Sequence, residues 1–316
     1  GDSMADKNQL LMIFPKTLRS KLTEVLSEYE KLQEIRMRVN APLICVIDGK
    51  EWMPDASGRR CNTPEKAYRV TMSDIKETMA SVSHYSMYAY EKEIRQGFIT
   101  IQGGHRVGIA GKVTLENNKI KTIQYISFLN IRIAHQIKGC ALAVMKFLYS
   151  DGQFLHTLII SPPGCGKTTL LRDIVYQISQ NKSGMSVALV DERSEIAACD
   201  MGIPQNDVGM RCDILDGCPK SEGMMLMLRT MSPKIMAVDE IGSSADIEAV
   251  INVMHGGCKI IATVHAASYE EVCTKPDFCK IVADRLFERY IILSRHEHVG
   301  QIEAVYDADG TLLYHG

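Results

Sequence analysis

The chain has 316 residues, 46% of them hydrophobic and 23% charged, which are the proportions of an ordinary globular protein with room for two domains. Its formal net charge of −2 gives no overall attraction to nucleic acid or anionic lipid, and no apolar run approaches the roughly 20 residues of a transmembrane segment. Ten cysteines without a C-x-x-C pair, and no signal peptide, predict a cytoplasmic protein with reduced thiols. We interpret Gly1, Asp2 and Ser3 as an expression scar.

The first 136 residues predict a small α+β domain. Apolar residues recur there at helical spacing in two segments and alternate with polar residues in others. Thr71 or Ser73 is the expected N-cap of the second helix. The predicted elements are helices over 16–32 and 71–83, strands over 34–40 and 43–47, and a hairpin joining 98–101 to 107–109 through Gly103 and Gly104.

Residues 137–316 predict a second, α/β domain. Its strands are continuously apolar and alternate with helices, which is typical of a parallel sheet buried on both faces. The tail is typical of an antiparallel meander that turns at Asp309-Gly310. The predicted strands are 158–160, 187–190, 235–238, 259–264, 289–293, 302–306 and 312–314, and the predicted helices are 141–149, the segment that follows residue 166, and 224–231.

The segment SPPGCGKTTLLRD, residues 161–173, predicts a phosphate-binding loop between a strand and a helix. Glycines allow the loop to point backbone N–H groups at an anion, and the helix adds the positive end of its dipole. The Lys167 ammonium can reach the β- and γ-phosphates, and the Thr168 hydroxyl can ligate Mg²⁺. Ser161 stands where the P-loop pattern has its first glycine. The candidate nucleotide-binding residues are Pro163, Gly164, Cys165, Gly166, Lys167, Thr168 and Thr169.

Polar residues also end the other strands of the second domain. Asp239-Glu240 follows strand 235–238 as in a Walker B element, Asp191-Glu192-Arg193 follows strand 187–190, and His265 ends the strand that contains Thr263. Each has a plainer explanation, since an Asp-Glu pair often caps a helix and a histidine at a strand end is often structural. Carboxyl ends of parallel strands meet at one sheet edge, so we expect these groups to converge.

The ordered set of P-loop, VDERSE, LRTMSPKIMAVDEIG and IIATVHA resembles the secretion-type ATPases of type II, type IV and pilus systems. Within that group, SPPGCGKTTLLRD, DVGMRCDILDGCPKSEGMM and QGGHRVGIAGKV resemble the sporulation stage III AA family. The resemblance runs from about residue 34 to the tail. It implies a RecA-like P-loop ATPase domain with a mostly parallel sheet, preceded by the smaller α+β domain.

The resemblance also implies roles for individual residues. Lys167 and Thr168 would hold the phosphates and Mg²⁺ of ATP, with Asp239 supporting the metal. Glu240 is the first choice to position the hydrolytic water, and Glu192 is the second. His265 and Thr263 would sense the γ-phosphate and couple it to movement.

P-loop motors usually need an arginine from a neighbouring subunit, so we expect a homo-oligomeric ring, a hexamer by resemblance. Secretion ATPases donate it from the N-terminal domain, which favours Arg106 and Arg132. The resemblance implies a task, which is to power a channel between mother cell and forespore during endospore formation. Without a transmembrane segment, the protein would lie in the mother-cell cytoplasm and dock peripherally on integral-membrane channel proteins at the inner membrane. The full set of candidate arginines is Arg36, Arg38, Arg106, Arg132, Arg211 and Arg229.

Two other functions stay open. A nucleic-acid-associated ATPase would show turnover stimulated by DNA or RNA, but the acidic pI near 6.5 argues against direct nucleic-acid binding. A weakly hydrolysing, nucleotide-dependent scaffold is suggested by Ser161. The retained Glu240 and Glu192 favour chemistry over that alternative.

Overall fold

The computed structural model describes residues 2–182, 184–294 and 301–316, so Gly1 of the expected scar lies outside the described residues. The chain forms two compact units. The first runs to His135 and includes the later segment Ala198–Gln205, and the second comprises Gln136–Ala197 and Asn206–Gly316. The short segment therefore belongs to the first unit, although its neighbours in sequence belong to the second.

The first unit is an antiparallel sheet covered by helices. Its strand order is β4-β3-β2-β1-β7-β6-β5. Two 3₁₀ turns complete it, at Tyr29–Lys31 and Met87–Tyr90. The helices are α1 (Asp2–Met12), α2 (Lys16–Ser27), α3 (Met72–Val82) and α4 (Glu91–Gln96). The strands are β1 (Leu32–Arg38), β2 (Ile44–Ile47), β3 (Lys50–Pro54), β4 (Arg60–Cys61), β5 (Phe98–Thr100), β6 (Arg106–Glu116) and β7 (Lys119–Arg132).

Local sequence explains the ends of these elements. Helix α2 ends at Ser27, earlier than predicted, because the 3₁₀ turn redirects the chain so that Leu32 can begin β1. Helix α3 is capped by Thr71, one of the two predicted caps, whose hydroxyl accepts the N–H of Asp74 while the Asp74 carboxylate accepts the N–H of Thr71. The predicted hairpin is confirmed, since Ile99 pairs with Val107.

The largest surprise in the first unit is the length of the β6–β7 hairpin. The sequence predicted only its first residues, up to 109, whereas the pairing continues to Glu116 opposite Lys119. The turn is made by Asn117 and Asn118, both at positive φ, which is the conformation of a type I′ hairpin turn. Because the outer part of the hairpin is largely exposed, its residues lack the in–out alternation on which a sequence-based strand prediction depends.

The second unit is built around an eight-stranded sheet in the order β12-β11-β13-β14-β10-β15-β16-β17. The first six strands are parallel and the last two antiparallel. A separate small ribbon consists of β8 (Tyr149–Ser150) and β9 (Gln153–Phe154). The strands of the sheet are β10 (Thr157–Ser161), β11 (Val187–Asp191), β12 (Cys212–Asp216), β13 (Ile235–Val238), β14 (Lys259–His265), β15 (Arg289–Leu293), β16 (Ile302–Asp307) and β17 (Leu312–His315). The helices are α5 (Leu142–Met145), α6 (Lys167–Gln180), α7 (Lys220–Met231), α8 (Ser244–His255), α9 (Tyr269–Thr274) and α10 (Pro276–Ala283).

Burial explains which strands the sequence revealed. Every residue of β10, β11 and β13 is buried, so these strands are the continuous apolar runs that predicted a parallel sheet. Strand β12 was missed because it is a half-exposed edge strand with Asp213 and Asp216 in it. The predicted tail meander is confirmed as β15–β16–β17. The helix predicted over 141–149 is only the short α5, since Tyr149 enters the β8–β9 ribbon.

No helix in the described part of the chain is both long and apolar enough to cross a membrane.

Candidate functional site

The P-loop connects β10 to α6 as the sequence predicted. Gly164 and Gly166 both lie at positive φ, 76° and 90°, so they supply the backbone conformation that the loop requires. Gly166 is also the N-cap of α6. Ser161 ends β10 in extended backbone, is fully buried, and donates its hydroxyl hydrogen to Pro162 O at 2.8 Å. Since this position needs no positive φ, serine is compatible with the loop.

The ammonium of Lys167 contacts a carboxylate from another strand. Lys167 is the first residue of α6, its side chain is 10% exposed, and its Nζ lies 2.6 Å from Oε1 of Glu240. Nε2 of His265 lies 2.8 Å from the same oxygen. The guanidinium of Arg193 forms an ion pair with Oε2. One carboxylate therefore faces three basic side chains, which lie up to 73 residues from it along the chain. They come from the first residue of α6, the segment after β11 and the end of β14.

A second set of hydrogen bonds joins the neighbouring carboxylate to the P-loop. The hydroxyl of Thr168 donates to Oδ2 of Asp239 at 2.9 Å. The hydroxyl of Thr263 donates to Oδ1 of Asp239 and accepts the backbone N–H of Glu240 at 2.8 Å. Thr263 is fully buried in β14, and this single hydroxyl fixes both acidic residues that follow β13.

Glu240 combines backbone strain with a perturbed carboxyl group. Its φ is 52°, in the left-handed region that non-glycine residues rarely adopt and that is enriched at functional sites. Burial acts to raise the pKa of Glu240, but the hydrogen bond and charge of Lys167, followed by the charges of Arg193 and His265, outweigh it. The pKa therefore lies below its usual range, and the carboxyl is an anion at neutral pH.

The acidic segment after β11 is held in a fixed conformation by its first residue. The Asp191 carboxylate is buried and accepts the backbone N–H groups of Glu195, Ile196 and Ala197 over 2.9 to 3.0 Å. Burial raises the pKa of Asp191 to about 6, and the nearby Asp216 raises it too, although the three N–H groups lower it. Asp191 thus stabilises the loop rather than facing a ligand.

Arg172 of α6 ties that loop to the P-loop helix. Its guanidinium donates to the backbone oxygens of Ile196 and Glu195 at 2.5 and 2.6 Å. The loop that carries Glu192 and Arg193 is consequently anchored at both ends of residues 191–197.

Glu192, the second-choice water-positioning residue, has a different partner from Glu240. Its carboxylate pairs with Lys220 of α7, and its side chain is 37% exposed. Glu240 is the glutamate in contact with Lys167. The structure therefore separates the environments of the two glutamates.

The predicted arginines of the first unit share one sheet face. Arg36 and Arg38 alternate with buried residues along β1, and the register pairs Glu34 with Arg132 and Arg132 with Arg106. Directly paired residues point to the same side of a sheet. Arg106 also stacks on Phe98, with the guanidinium carbon 4.4 Å from the ring centroid.

The two arginines of the second unit that were considered, Arg211 and Arg229, bond to their own surroundings. Arg211 donates to the backbone oxygens of Ser179 and Asn181 at 2.8 and 3.0 Å. Arg229 donates to Met225 O one turn earlier in α7 at 3.1 Å. These bonds give both side chains structural tasks.

Sequence reasoning placed Arg193 at a strand end without giving it a task, and it overlooked Arg172. The signal for Arg193 was available, since it directly follows a strand-end acidic pair in VDERSE. Arg172 lies one helical turn beyond Thr168, and nothing in the sequence indicates that it reaches the loop after β11.

The side chains present fit an Mg²⁺ ion. Thr168 and Asp239 present a hydroxyl and a carboxylate within hydrogen-bond distance, and Mg²⁺ prefers such oxygen ligands. Among the described residues, no group of three or more His, Cys, Asp or Glu side chains is arranged to hold a metal.

Residues 4–313 match the sequence profile of a family described as sporulation stage III, protein AA. The chain belongs to this family. It is 39% identical over 310 residues to stage III sporulation protein AA of Bacillus subtilis strain 168, covering 97% of each chain. The profile match and this identity confirm the family resemblance inferred from the motifs.

Comparison with solved structures shows that the fold of this chain is shared by proteins outside the sporulation family. It resembles the ATPase DotB of Legionella pneumophila with a TM-score of 0.55 at 12% identity, covering 85% of this chain and 74% of DotB. It resembles the pilus retraction motor PilT, solved with bound ADP, with a TM-score of 0.57 at 13% identity, covering 86% of this chain and 77% of PilT. At such identities the likeness shows the fold, an α/β RecA-like P-loop domain with a smaller N-terminal domain.

Proposed function

We propose that this member of the sporulation stage III AA family is a Mg²⁺-dependent ATPase that hydrolyses ATP to ADP and phosphate. The observation that carries the proposal is the connected set of contacts from Lys167 through Glu240 to His265 and from Thr168 through Asp239 to Thr263. Residues from two strand ends and one helix meet in this set, as a phosphate site at the carboxyl edge of a parallel sheet requires. Ordinary capping does not explain such a meeting.

Each residue has a proposed task. Residues 163–169 would surround the phosphates of ATP, the backbone N–H groups of residues 164–169 would donate to them, and Lys167 would bind the γ-phosphate. Thr168 and Asp239 would hold Mg²⁺, which when bound neutralises charge on the phosphate oxygens. Glu240 would orient the attacking water, since it is the glutamate in contact with Lys167, and Glu192 remains the second candidate.

Thr263 and His265 would report the state of the γ-phosphate. Both contact Glu240, one at its backbone N–H and one at its carboxylate. Loss of the γ-phosphate changes which hydrogen bonds these groups can form, and that change is the proposed source of movement.

The assembly is also a proposal. We infer a hexameric ring in which Arg106 or Arg132 of one subunit offsets charge at the site of the next, and in which the units divided near residue 136 act as two domains. DotB and PilT are described as an ATPase and a retraction motor, which supports a motor task for this chain. The proposed task is to power a mother cell–forespore channel from the cytoplasmic side, through integral-membrane partners.

Phosphate release by the full chain with ATP and Mg²⁺ tests the enzymatic proposal. We expect Lys167→Ala to lower turnover by about a hundredfold or more, because removal of one charge-stabilising donor typically costs that much. Lys182→Ala, a change at an exposed lysine after α6, is the control and should leave turnover unchanged. Equal and negligible rates in wild type and Lys167→Ala would instead favour the scaffold, and turnover that requires DNA or RNA would favour the nucleic-acid-associated ATPase.

A further inference from the structure

We propose that Arg193 binds the γ-phosphate of ATP from within the same subunit and that the Glu240 carboxylate competes with this phosphate for Arg193, Lys167 and His265. The inference rests on the proposed ATPase function and adds to it a residue that distinguishes ATP from ADP. Arg193 differs from the arginines expected to act between subunits, because it belongs to the same unit as the P-loop.

The first step is the geometry around one carboxylate. Oε1 of Glu240 faces Lys167 Nζ at 2.6 Å and His265 Nε2 at 2.8 Å, while Oε2 faces the Arg193 guanidinium. Three basic groups converging on a small oxyanion is the arrangement that proteins use for a phosphoryl group. The three groups can therefore bind either a carboxylate or a phosphate.

The second step is electrostatic. A P-loop lysine binds the γ-phosphate, so the phosphate must approach the position where Lys167 now meets Glu240. The Glu240 carboxylate forms ion pairs with Lys167 and Arg193 at this position, and two anions in contact repel each other. The γ-phosphate therefore displaces Glu240 from the shared donors. ADP has no γ-phosphate and leaves the contact between Glu240 and Arg193 in place.

The third step compares the surroundings of the two arginines near the P-loop. The Arg172 guanidinium is committed to two backbone oxygens of the loop. The Arg193 side chain is 61% exposed, but its backbone lies in the segment anchored by Asp191 and Arg172. Arg193 can therefore exchange one anion for another while its point of attachment stays fixed.

The experiment is calorimetric titration of the full chain with a non-hydrolysable ATP analogue and with ADP, both with Mg²⁺. We expect Arg193→Ala to weaken binding of the analogue by about tenfold, equivalent to about 1.4 kcal/mol, and binding of ADP by less than about twofold. Arg285→Ala is the matched control, since the Arg285 side chain is 67% exposed, pairs with Asp309 in the same unit, and should change neither affinity.

Competition is tested separately with Glu240→Gln, which keeps the shape and removes the charge. We expect the analogue to bind several-fold more tightly and ADP to bind as before. Unchanged affinity for the analogue in Glu240→Gln would overturn the competition between Glu240 and the phosphate.

The remaining outcomes distinguish the two proposals. If wild type binds neither nucleotide, the proposed function fails and this inference falls with it. If wild type binds both and Arg193→Ala retains the wild-type ratio of affinities, only the assignment of Arg193 is overturned. Equal weakening of both nucleotides is one form of this result, because it leaves the ratio unchanged and shows that Arg193 does not distinguish ATP from ADP.

Discussion

The two large sheets described here distribute their polar residues in opposite ways. In the parallel sheet of the second unit, strands with buried interiors end in acidic, threonine or histidine residues, and these groups meet at one edge. In the antiparallel sheet of the first unit, neighbouring strands run in opposite directions, and Arg36, Arg38, Arg106 and Arg132 are spread across one face. The parallel strands bring residues that are far apart in sequence together at one compact site. The antiparallel strands instead distribute their arginines over an extended surface.

Substitution of Arg106 or Arg132 on the sheet face of the first unit should have the largest effect on turnover. We expect Arg106→Ala or Arg132→Ala to lower turnover by about a thousandfold with nucleotide binding retained, as for an arginine that acts in trans on phosphoryl transfer. Wild-type turnover per subunit should rise with protein concentration. Arg95→Ala serves as the control because Arg95 lies in the same unit on α4, paired with Glu91. Phosphate release that is independent of concentration and unaltered in both variants would contradict a role for this face.

Acid should lower the folding stability of the first unit, because unfolding allows His105 to bind a proton. His105 is buried, its Nδ1 accepts the N–H of Ala134 at 3.0 Å, and burial, followed by the charge of His135, lowers its pKa to about 4. Since the unfolded chain binds this proton near pH 6.5 and the folded chain only near pH 4, stability is full above pH 6.5 and decreases as pH falls between these values. The loss reaches on the order of 3 kcal/mol at pH 4.

Trp52 allows that effect to be measured in the first unit alone, because it is the single tryptophan of the sequence and lies in β3. Its fluorescence during urea unfolding between pH 7 and 4.5 should show the midpoint decreasing for wild type. In His105→Gln the midpoint should start lower and depend less on pH. An identical pH dependence in the two proteins would show that His105 is not the sensitive group.

Two buried threonines of the second unit, Thr263 and Thr157, allow an effect on turnover to be distinguished from an effect on stability. Thr263→Val removes the hydroxyl that joins Asp239 to Glu240, and we expect turnover to fall by about 10- to 100-fold and stability by about 1–3 kcal/mol. Thr157→Val is the matched control, since Thr157 is equally buried in β10 and its hydroxyl donates to Leu155 O. It should lose comparable stability at normal turnover. Equal loss of turnover in both variants would mean that Thr263 acts through stability alone.

The smallest effect is expected at Ser161. Because its backbone is extended, Ser161→Gly restores the P-loop pattern without providing a conformation that the loop lacks. We expect turnover within about twofold of wild type and a decrease in stability of about 0.5–1 kcal/mol from the added chain entropy. A large gain in turnover, measured as phosphate release, would show that serine limits the site.

The second sheet and most of its site could be predicted from sequence, because buried parallel strands are continuous apolar runs and their polar ends are adjacent to them. Strand β12 and the outer β6–β7 hairpin escaped prediction since exposed strands lack that contrast. The sequence places Arg193 directly after the acidic pair in VDERSE, but only the folded loop shows that its guanidinium faces Glu240. The assignment of the segment Ala198–Gln205 to the first unit depends on tertiary packing, which no local pattern encodes.

A crystal structure of the full chain with Mg²⁺ and a non-hydrolysable ATP analogue tests the central claim most directly. The account predicts one bound triphosphate whose γ-phosphate contacts Lys167, with Asp239, Glu240 and His265 around the same phosphate and metal. An analogue bound away from the loop after β10, or bound there with those four side chains directed elsewhere, would contradict it.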